Sequence, residues 1–147
     1  RHVDAAAAVL GDRLVAVQNE LSFFATQAFK PRKPNAAKSN KAGVVAACAA
    51  AGVAFVAFGV FGGLPARQHK RDVAALEPLR RVADRAGATP HAVVLKWLLH
   101  RHPAGFVALA GTRRADRVPD VAAVEDLILA PADYDAIDAI KAPQGRR

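Results

Sequence analysis

Three short apolar segments alternate with helix-forming segments along the chain, and this order constrains the fold more than any other feature. The apolar segments are rich in Val, Phe, Leu or Ala and have the length of strands. They are Leu14–Asn19, Val53–Phe58 and Phe106–Ala110. The helix-forming segments are His2–Leu10, Ala42–Ala51, Asp72–Ala86, Pro90 to near His102, Arg114–Ala123 and Ala132–Lys141. Such alternation predicts an α/β fold with a parallel sheet.

Local signals place the helix ends. Gly11 and Gly87 follow helical segments and predict C-terminal stops, because glycine adopts the left-handed conformation at low cost. Thr89 followed by Pro90 predicts a helix start, with Thr89 as the N-cap and Pro90 at the first helical position. The helix that follows is expected to end before Pro103.

The segment Phe106–Val118 predicts a buried strand, a tight turn and a basic helix start. Gly111 permits the turn, Thr112 can cap, and three arginines fall in the first helical turns. These are Arg113, Arg114 and Arg117. Cations at a helix N-terminus oppose the helix dipole, whereas a bound anion would be stabilised there. The segment therefore predicts a phosphate site.

Composition indicates a globular chain. Of the 147 residues, 52% are hydrophobic and 23% charged, which argues against disorder. Cys48 is the single cysteine, so no internal disulfide can form, and a reducing, cytoplasmic location is expected. Cys48 itself is predicted to be a buried small hydrophobe.

The segment Ala42–Gly63 has no charged residue and is long enough to span a bilayer. Thirteen of its residues are Ala or Gly, however, and these contribute little transfer free energy. The composition also changes at Gly52, from Ala-rich to Val- and Phe-rich. We therefore interpret it as a helix, a Gly stop and a strand, with no membrane partner.

The net charge of +8 and the pI near 10.4 allow a second interpretation, a basic module that binds nucleic acid or another polyanion. The residues 21–41 contain a Pro-bearing basic stretch and are expected to form a long exposed loop. Aromatic residues are few near the cations, so nucleic acid is not the expected partner.

Motifs for metal binding and nucleophilic catalysis are missing from the sequence. His100 and His102 are two residues apart and do not share a helix face, and no His has metal-ligand spacing with Cys48. Neither serine lies in a nucleophile-elbow pattern. No metal is expected.

Four segments, taken in order, resemble the aldo-keto reductase family. Val15–Glu20 and Gly52–Phe58 resemble its sixth and seventh barrel strands, and Thr89–Leu99 resembles its helix with a Trp. Phe106–Val118 resembles its last strand and the following Arg-bearing turn. The resemblance implies a partial (β/α)8 TIM barrel, in which the 147 residues form one incomplete, C-terminal domain. A complete barrel needs about 250 residues, so a fragment, a truncated gene and a processed product all fit.

The resemblance also implies a site for NADP (NADPH). Gln18 would hydrogen-bond the nicotinamide carboxamide, and Phe58 would stack on the nicotinamide ring. Gly62 and Gly63 would allow close backbone approach, and Gly59 is a further cofactor-binding position, where the family usually has Ser. On the phosphate side, Arg117 would contact the 2′-phosphate. The other residues implied there are Gly111, Thr112, Arg113 and Asp120.

Some positions depart from the family pattern. Gly111 stands where many members have Lys, and Val121 stands where an Asn that contacts adenine is common. An alternative for the Arg-bearing segment is a solvated helix with Arg113–Asp116 and Arg117–Asp120 ion pairs.

The family's reaction is the NADPH-dependent reduction of aldehydes and ketones, an oxidoreductase activity. Its catalytic Asp, Tyr, Lys and His lie on earlier strands, so no catalytic residue is assigned here, and the chain alone is expected to be inactive. Tyr134 is predicted to be a packing residue. A carbonyl substrate would join NADPH only in a complete barrel, and exposed sheet edges predict possible self-association. A non-functional structural fragment is the remaining alternative.

Overall fold

The computed structural model describes residues 2–23, 43–62, 76–101 and 105–140, which belong to two structural units. Unit 1 contains Arg1–Val60 and His102–Leu109, and unit 2 contains Phe61–Arg101 and Ala110–Arg147. Each unit has its own elements and its own buried side chains. The units are therefore described one at a time.

Unit 1 contains a three-stranded parallel sheet in the order β1-β2-β3. The strands are β1 (Ala16–Glu20), β2 (Ala54–Phe58) and β3 (Phe106–Ala108). In the register, Gln18 lies opposite Val56, and Val56 lies opposite Val107. This confirms the prediction of a parallel α/β arrangement with three strands. The strand bounds differ: β1 begins later and ends later than the predicted Leu14–Asn19, which places Gln18 in its middle.

The two faces of this sheet have different surroundings. On one face, Phe55 is 3% exposed, and its ring stacks on that of Phe106 with centroids 5.9 Å apart. On the other, Phe58 and Val107 are 42% and 46% exposed. The prediction that Phe106–Ala110 is a buried strand is therefore wrong: Val107 and Leu109 are exposed, and the other three residues are only partly buried. Side chains alternate between faces, and this second face stays open to solvent.

Two helices accompany this sheet in unit 1. Helix α1 (His2–Leu10) ends at a 3-10 turn, Gly11–Arg13, and helix α2 is Val44–Ala50. Cys48 on α2 is 1% exposed, which confirms the prediction that it is buried. Burial also raises the pKa of its thiol. Across the described ranges, no helix is both long enough and apolar enough to cross a membrane.

The start of the basic loop differs from the prediction of an exposed segment. Leu21 and Phe23 are buried, as is Ser22 between them, and the Leu21 N–H donates to the Phe58 carbonyl at 3.2 Å. Burial of two large apolar side chains explains the difference. The rest of the predicted loop, from residue 24 to 41, lies outside the described residues.

Unit 2 is helical in its described part. Its helices are α3 (Glu77–Arg85), α4 (Pro90–His100), α5 (Val118–Ala122) and α6 (Pro131–Asp138), and a 3-10 turn, Ala115–Arg117, precedes α5. Both predicted local signals for α3 and α4 are confirmed. Thr89 Oγ1 accepts the Ala92 N–H at 3.2 Å, and Gly87 has a φ of +60° just after α3.

The predicted helix Arg114–Ala123 is replaced by the 3-10 turn and the short α5. Pro119 is the physical reason. It has no N–H to donate to the carbonyl of Ala115, which interrupts the helical hydrogen bonds. Arg114 is extended, so the helical residues begin only after it, and they are divided between the 3-10 turn and α5.

Polar side chains hold α6 to α3 and α4. The buried Asp133 accepts the Ala130 N–H at 2.8 Å and forms an ion pair with Arg85 on α3. That hydrogen-bonded guanidinium is the main cause holding the pKa of Asp133 below its usual value. On the next turn, the Trp97 indole N–H donates to Asp138 at 2.7 Å. Helix α6 is thus fixed at both of its ends.

Tyr134 is a packing residue in this structure. Its ring stacks on His100 with centroids 4.0 Å apart. Burial and the neighbouring Asp133 raise the pKa of its hydroxyl. This confirms the predicted packing role.

Candidate functional site

One cavity in unit 2 collects the predicted phosphate-binding residues. It has a volume of about 380 Å³. Its lining comprises Phe61, His91, Gly111, Thr112, Arg113, Arg114, Arg117, Asp120 and Val121. All five residues that the sequence assigned to this end of the site, Gly111, Thr112, Arg113, Arg117 and Asp120, are among them. The three cations and the hydroxyl make this a cavity suited to an anion.

The turn that carries the cavity is closed by Thr112. Its Oγ1 accepts the Arg114 N–H at 3.1 Å, two residues ahead. This is the local side chain to backbone bond that Thr makes in turns. The same hydroxyl donates to the Arg114 carbonyl at 3.3 Å, so both bonds order the chain that leads into the 3-10 turn.

The cation pairing differs from the predicted alternative. Arg114 pairs with Asp116, its Nε donating to Oδ1 at 3.0 Å. Within the part of the chain that the structure describes, neither the Arg113–Asp116 pair nor the Arg117–Asp120 pair is formed. Arg114 is extended, with φ −114° and ψ 113°, so no helix runs from Arg113 to Asp116. Arg113 and Arg117 form no hydrogen-bonded ion pair with these carboxylates, although, after the hydrogen bond from Arg114, the charge of Arg117 contributes to lowering the pKa of Asp116.

Arg117 is held instead by a histidine that the sequence analysis did not select. Its Nη1 lies 3.3 Å from Nδ1 of His91, near the start of α4. The Phe61 ring packs edge-on against the imidazole, with centroids 5.1 Å apart. Burial first, and then the charge of Arg117, lower the pKa of His91, while Asp120 opposes them.

The contact between His91 and Arg117 spans 26 positions of sequence, so no spacing rule could find it. The available signal was weak: a polar ring directly after the Thr89-Pro90 cap, followed by the apolar run Ala92–Leu95. Only the tertiary structure brings it to the Arg-bearing turn.

The residues predicted for the nicotinamide end lie in unit 1. Gln18 and Phe58 are both exposed, and the strand register places them on one face of the sheet, since Gln18 is opposite Val56 and Phe58 follows Val56 by two. Gly59 has a φ of +69° and ends β2, a conformation that favours glycine. Gly63 lies outside the described residues.

A second, larger cavity in unit 2 has a different chemical character. It measures about 720 Å³ and is formed by the turn between α3 and α4 together with α5 and the residues after it. Its charged lining residues are Asp120 and Asp126, so it does not attract an anion. Among the described residues no cluster of His, Cys, Asp or Glu could hold a metal ion.

Solved structures show where this fold occurs. The chain is similar to a protein described as 2,5-diketo-D-gluconic acid reductase B, with a TM-score of 0.66 and 19% identity. The match covers 99% of this chain and 44% of that one. It is also similar to aldose reductase from Giardia lamblia (0.62, 23%, 92% and 40%). A third relative is an aldo-keto reductase of the silkworm Bombyx mori (0.63, 22%, 95% and 39%), which has also been solved with NADPH.

These likenesses establish the α/β fold, and the chain spans less than half the length of each of these proteins. No curated protein matches the sequence significantly. The model of one family, described as the aldo/keto reductase family, matches residues 1–142, nearly the whole chain. The resemblance inferred from the four segments is thereby confirmed, and the polyanion-binding alternative is not favoured. The chain belongs to the aldo/keto reductase family.

Proposed function

We propose that this chain is the C-terminal, NADP-binding portion of an aldo-keto reductase, and that the cavity around Arg117 receives the 2′-phosphate of NADPH. The observation that carries the proposal is the convergence of three arginines and the Thr112 turn on one cavity. A guanidinium presents paired N–H groups that match the oxygens of a phosphate.

The cavity's dimensions and donors suit this group. A volume of about 380 Å³ falls within the usual range of ligand pockets, roughly 300–1,000 Å³. Arg114 is partly neutralised by Asp116, so Arg113 and Arg117 are the cations that would meet the anion. Asp120 would lie at the rim of the same site, and Val121 would offer the adenine an apolar contact in place of a hydrogen bond.

At the other end of the cofactor, we assign Gln18 and Phe58 to the nicotinamide. The exposed amide of Gln18 can donate to and accept from a carboxamide, and Phe58 offers a flat, exposed face for stacking. Gly59, with Gly63 beyond the described part, would let the backbone approach the cofactor closely. When bound, NADPH supplies the hydride that reduces an aldehyde or ketone.

Reduction also needs a proton donor and a closed barrel, and we propose that both require further strands. The strands that the structure describes in unit 1 form a three-stranded sheet with β1 and β3 at its edges, whereas the family's barrel has eight strands. Those edges could accept the remaining strands or, in their absence, another copy of this chain. The sole cysteine and its burial favour a reducing compartment such as the cytoplasm.

Calorimetry on the full chain tests the cofactor assignment. We expect adenosine 2′,5′-bisphosphate to bind more tightly than adenosine 5′-phosphate, because only the first carries the 2′-phosphate. Arg117→Met should remove most of this preference, roughly 10-fold or more, since a hydrogen bond to a charged group contributes about 1.5–3 kcal/mol.

Arg80→Met is the matched control, because it removes one positive charge from an exposed position on α3. An equal loss in both variants would mean a nonspecific charge effect and would contradict the proposal. Equal, salt-sensitive binding of a DNA duplex without any 2′-phosphate preference would favour the polyanion alternative.

Catalytic competence is tested separately with NADPH and a reactive aldehyde. We expect no turnover from the 147 residues alone. Turnover that Tyr134→Phe abolishes would overturn the proposal that the proton donor lies on other strands.

A further inference from the structure

Among the cations of the candidate phosphate site, Arg117 is the one held by a neutral partner. Arg114 shares its charge with Asp116, whereas Arg117 Nη1 meets the imidazole of His91 at 3.3 Å. A carboxylate partner would orient a guanidinium but also offset its charge. A neutral imidazole orients it and leaves the full charge for a ligand.

The chemistry of the two groups fixes the proton positions. A guanidinium has five N–H donors and no acceptor, so the nitrogen facing it must supply the lone pair. His91 must therefore be neutral at Nδ1 and carry its proton on Nε2. A protonated imidazole would place an N–H and a positive charge against Arg117.

The surroundings of His91 favour that neutral form. Phe61 packs edge-on against the ring from one side. Of the charged groups facing it, Arg117 on the 3-10 turn opposes protonation and Asp120 on α5 favours it. Burial adds to the effect of Arg117, and together they lower the pKa of His91. Arg113 and Arg114 line the same cavity and add positive charge near it.

We propose that His91 is a positioning residue for anion recognition: its neutral imidazole accepts one hydrogen bond from Arg117 and holds the remaining guanidinium donors ready for a phosphate. This rests on the function proposed above and extends it to a residue outside the Arg-bearing turn. An arginine loses considerable rotamer freedom when it binds. Ordering it beforehand lowers that cost.

Two substitutions separate the effect of the hydrogen-bond acceptor of His91 from the effect of its ring packing. His91→Asn keeps an acceptor near the position of Nδ1 but cannot be protonated, and His91→Phe keeps a ring but has no acceptor. We expect the preference for adenosine 2′,5′-bisphosphate over adenosine 5′-phosphate to fall about 3- to 10-fold in His91→Phe, the effect of one hydrogen bond. It should stay within about 2-fold of the original chain in His91→Asn. Circular dichroism checks that both variants fold.

A pH series distinguishes positioning from simple packing. The phosphate titrates near pH 6 in every variant. The informative quantity is therefore the 2′-phosphate preference of the original chain divided by that of His91→Asn at each pH. This ratio should fall as the pH decreases below the ordinary imidazole range, because His91, whose pKa is lowered, becomes protonated there and releases Arg117. A constant or rising ratio would overturn the inference.

The outcomes also separate this inference from the proposed function. A preference for the 2′-phosphate that persists unchanged in His91→Phe would refute the role of His91 and leave the cofactor site standing. Absence of any preference in the original chain would refute both.

Discussion

The buried carboxylate of Asp133 allows a stability prediction worked out from individual contacts. Asp133 accepts the Ala130 N–H at 2.8 Å, a bond that contributes about 1 kcal/mol. It also pairs with Arg85, whose side chain is 60% exposed. Because that partner is in contact with water, the ion pair contributes only about 0.2–1 kcal/mol. Asp133→Ala should therefore lower the free energy of unfolding by roughly 1.2–2 kcal/mol.

Asp133→Asn separates the contribution of the ion pair from that of the Ala130 hydrogen bond. The amide oxygen can still accept the Ala130 N–H, but the charge that attracts Arg85 is lost, so about 0.5 kcal/mol should disappear. Asp135→Ala is the matched control, because it removes an exposed carboxylate from the same helix. Urea unfolding followed by the fluorescence of Trp97 measures all three, since this single tryptophan lies in the same unit.

The pH dependence provides a sharper test. The guanidinium of Arg85, helped by the Ala130 N–H, lowers the pKa of Asp133 in the folded chain. The stabilisation is therefore present above the unfolded pKa, near 3.9, and is lost as the pH falls through the lower folded value. The difference in unfolding free energy between the original chain and Asp133→Asn should shrink as the pH falls from about 5 to about 2.5. A gap that stays constant over this range, or an Asp135→Ala variant as unstable as Asp133→Ala, would refute the reasoning.

Two further predictions concern the turn between α3 and α4. Thr89→Ala removes the acceptor for the Ala92 N–H and should cost about 1 kcal/mol of unfolding free energy. Thr89→Ser, which keeps the hydroxyl, should cost little, and equal losses in the two variants would contradict the capping role. Gly87→Ala forces a side chain into a φ of +60° and should cost about 1–2 kcal/mol. Thermal unfolding followed by circular dichroism measures this loss of stability. Gly111→Ala is the control, because φ is not positive there and the added Cβ would meet no heavy atom within 4 Å. A Gly87→Ala variant as stable as Gly111→Ala would argue against backbone strain at Gly87.

Much of the fold could be predicted from local rules. The cap at Thr89 and the stop at Gly87 each depend on neighbours within a few residues, and both are found where the sequence places them. The parallel sheet followed from the alternation of elements. The strand faces could not be predicted in this way, because the exposure of Val107 depends on what covers the sheet and not on its own hydrophobicity.

In the candidate site, too, local features could be predicted from the sequence and tertiary contacts could not. The turn residues from Gly111 to Arg117 are close in sequence, so their convergence on one cavity was predictable. The partner of Arg117 was not, since His91 reaches it only through tertiary packing. The Arg113–Asp116 pair expected from helical spacing is not formed for a local reason: Arg114 is extended, so no helix runs from Arg113 to Asp116.

The buried Cys48 has a practical consequence for studying how this chain opens. It is the only cysteine and lies in unit 1, while the only tryptophan lies in unit 2. A thiol reagent reaches a buried side chain only when its surroundings open, so the labelling rate of Cys48 measures local opening around α2. Tryptophan fluorescence measures the other unit in the same sample. The native sequence thus carries two separate reporters, and comparing their denaturant dependence shows whether the units open as one cooperative body or independently, without introducing any probe.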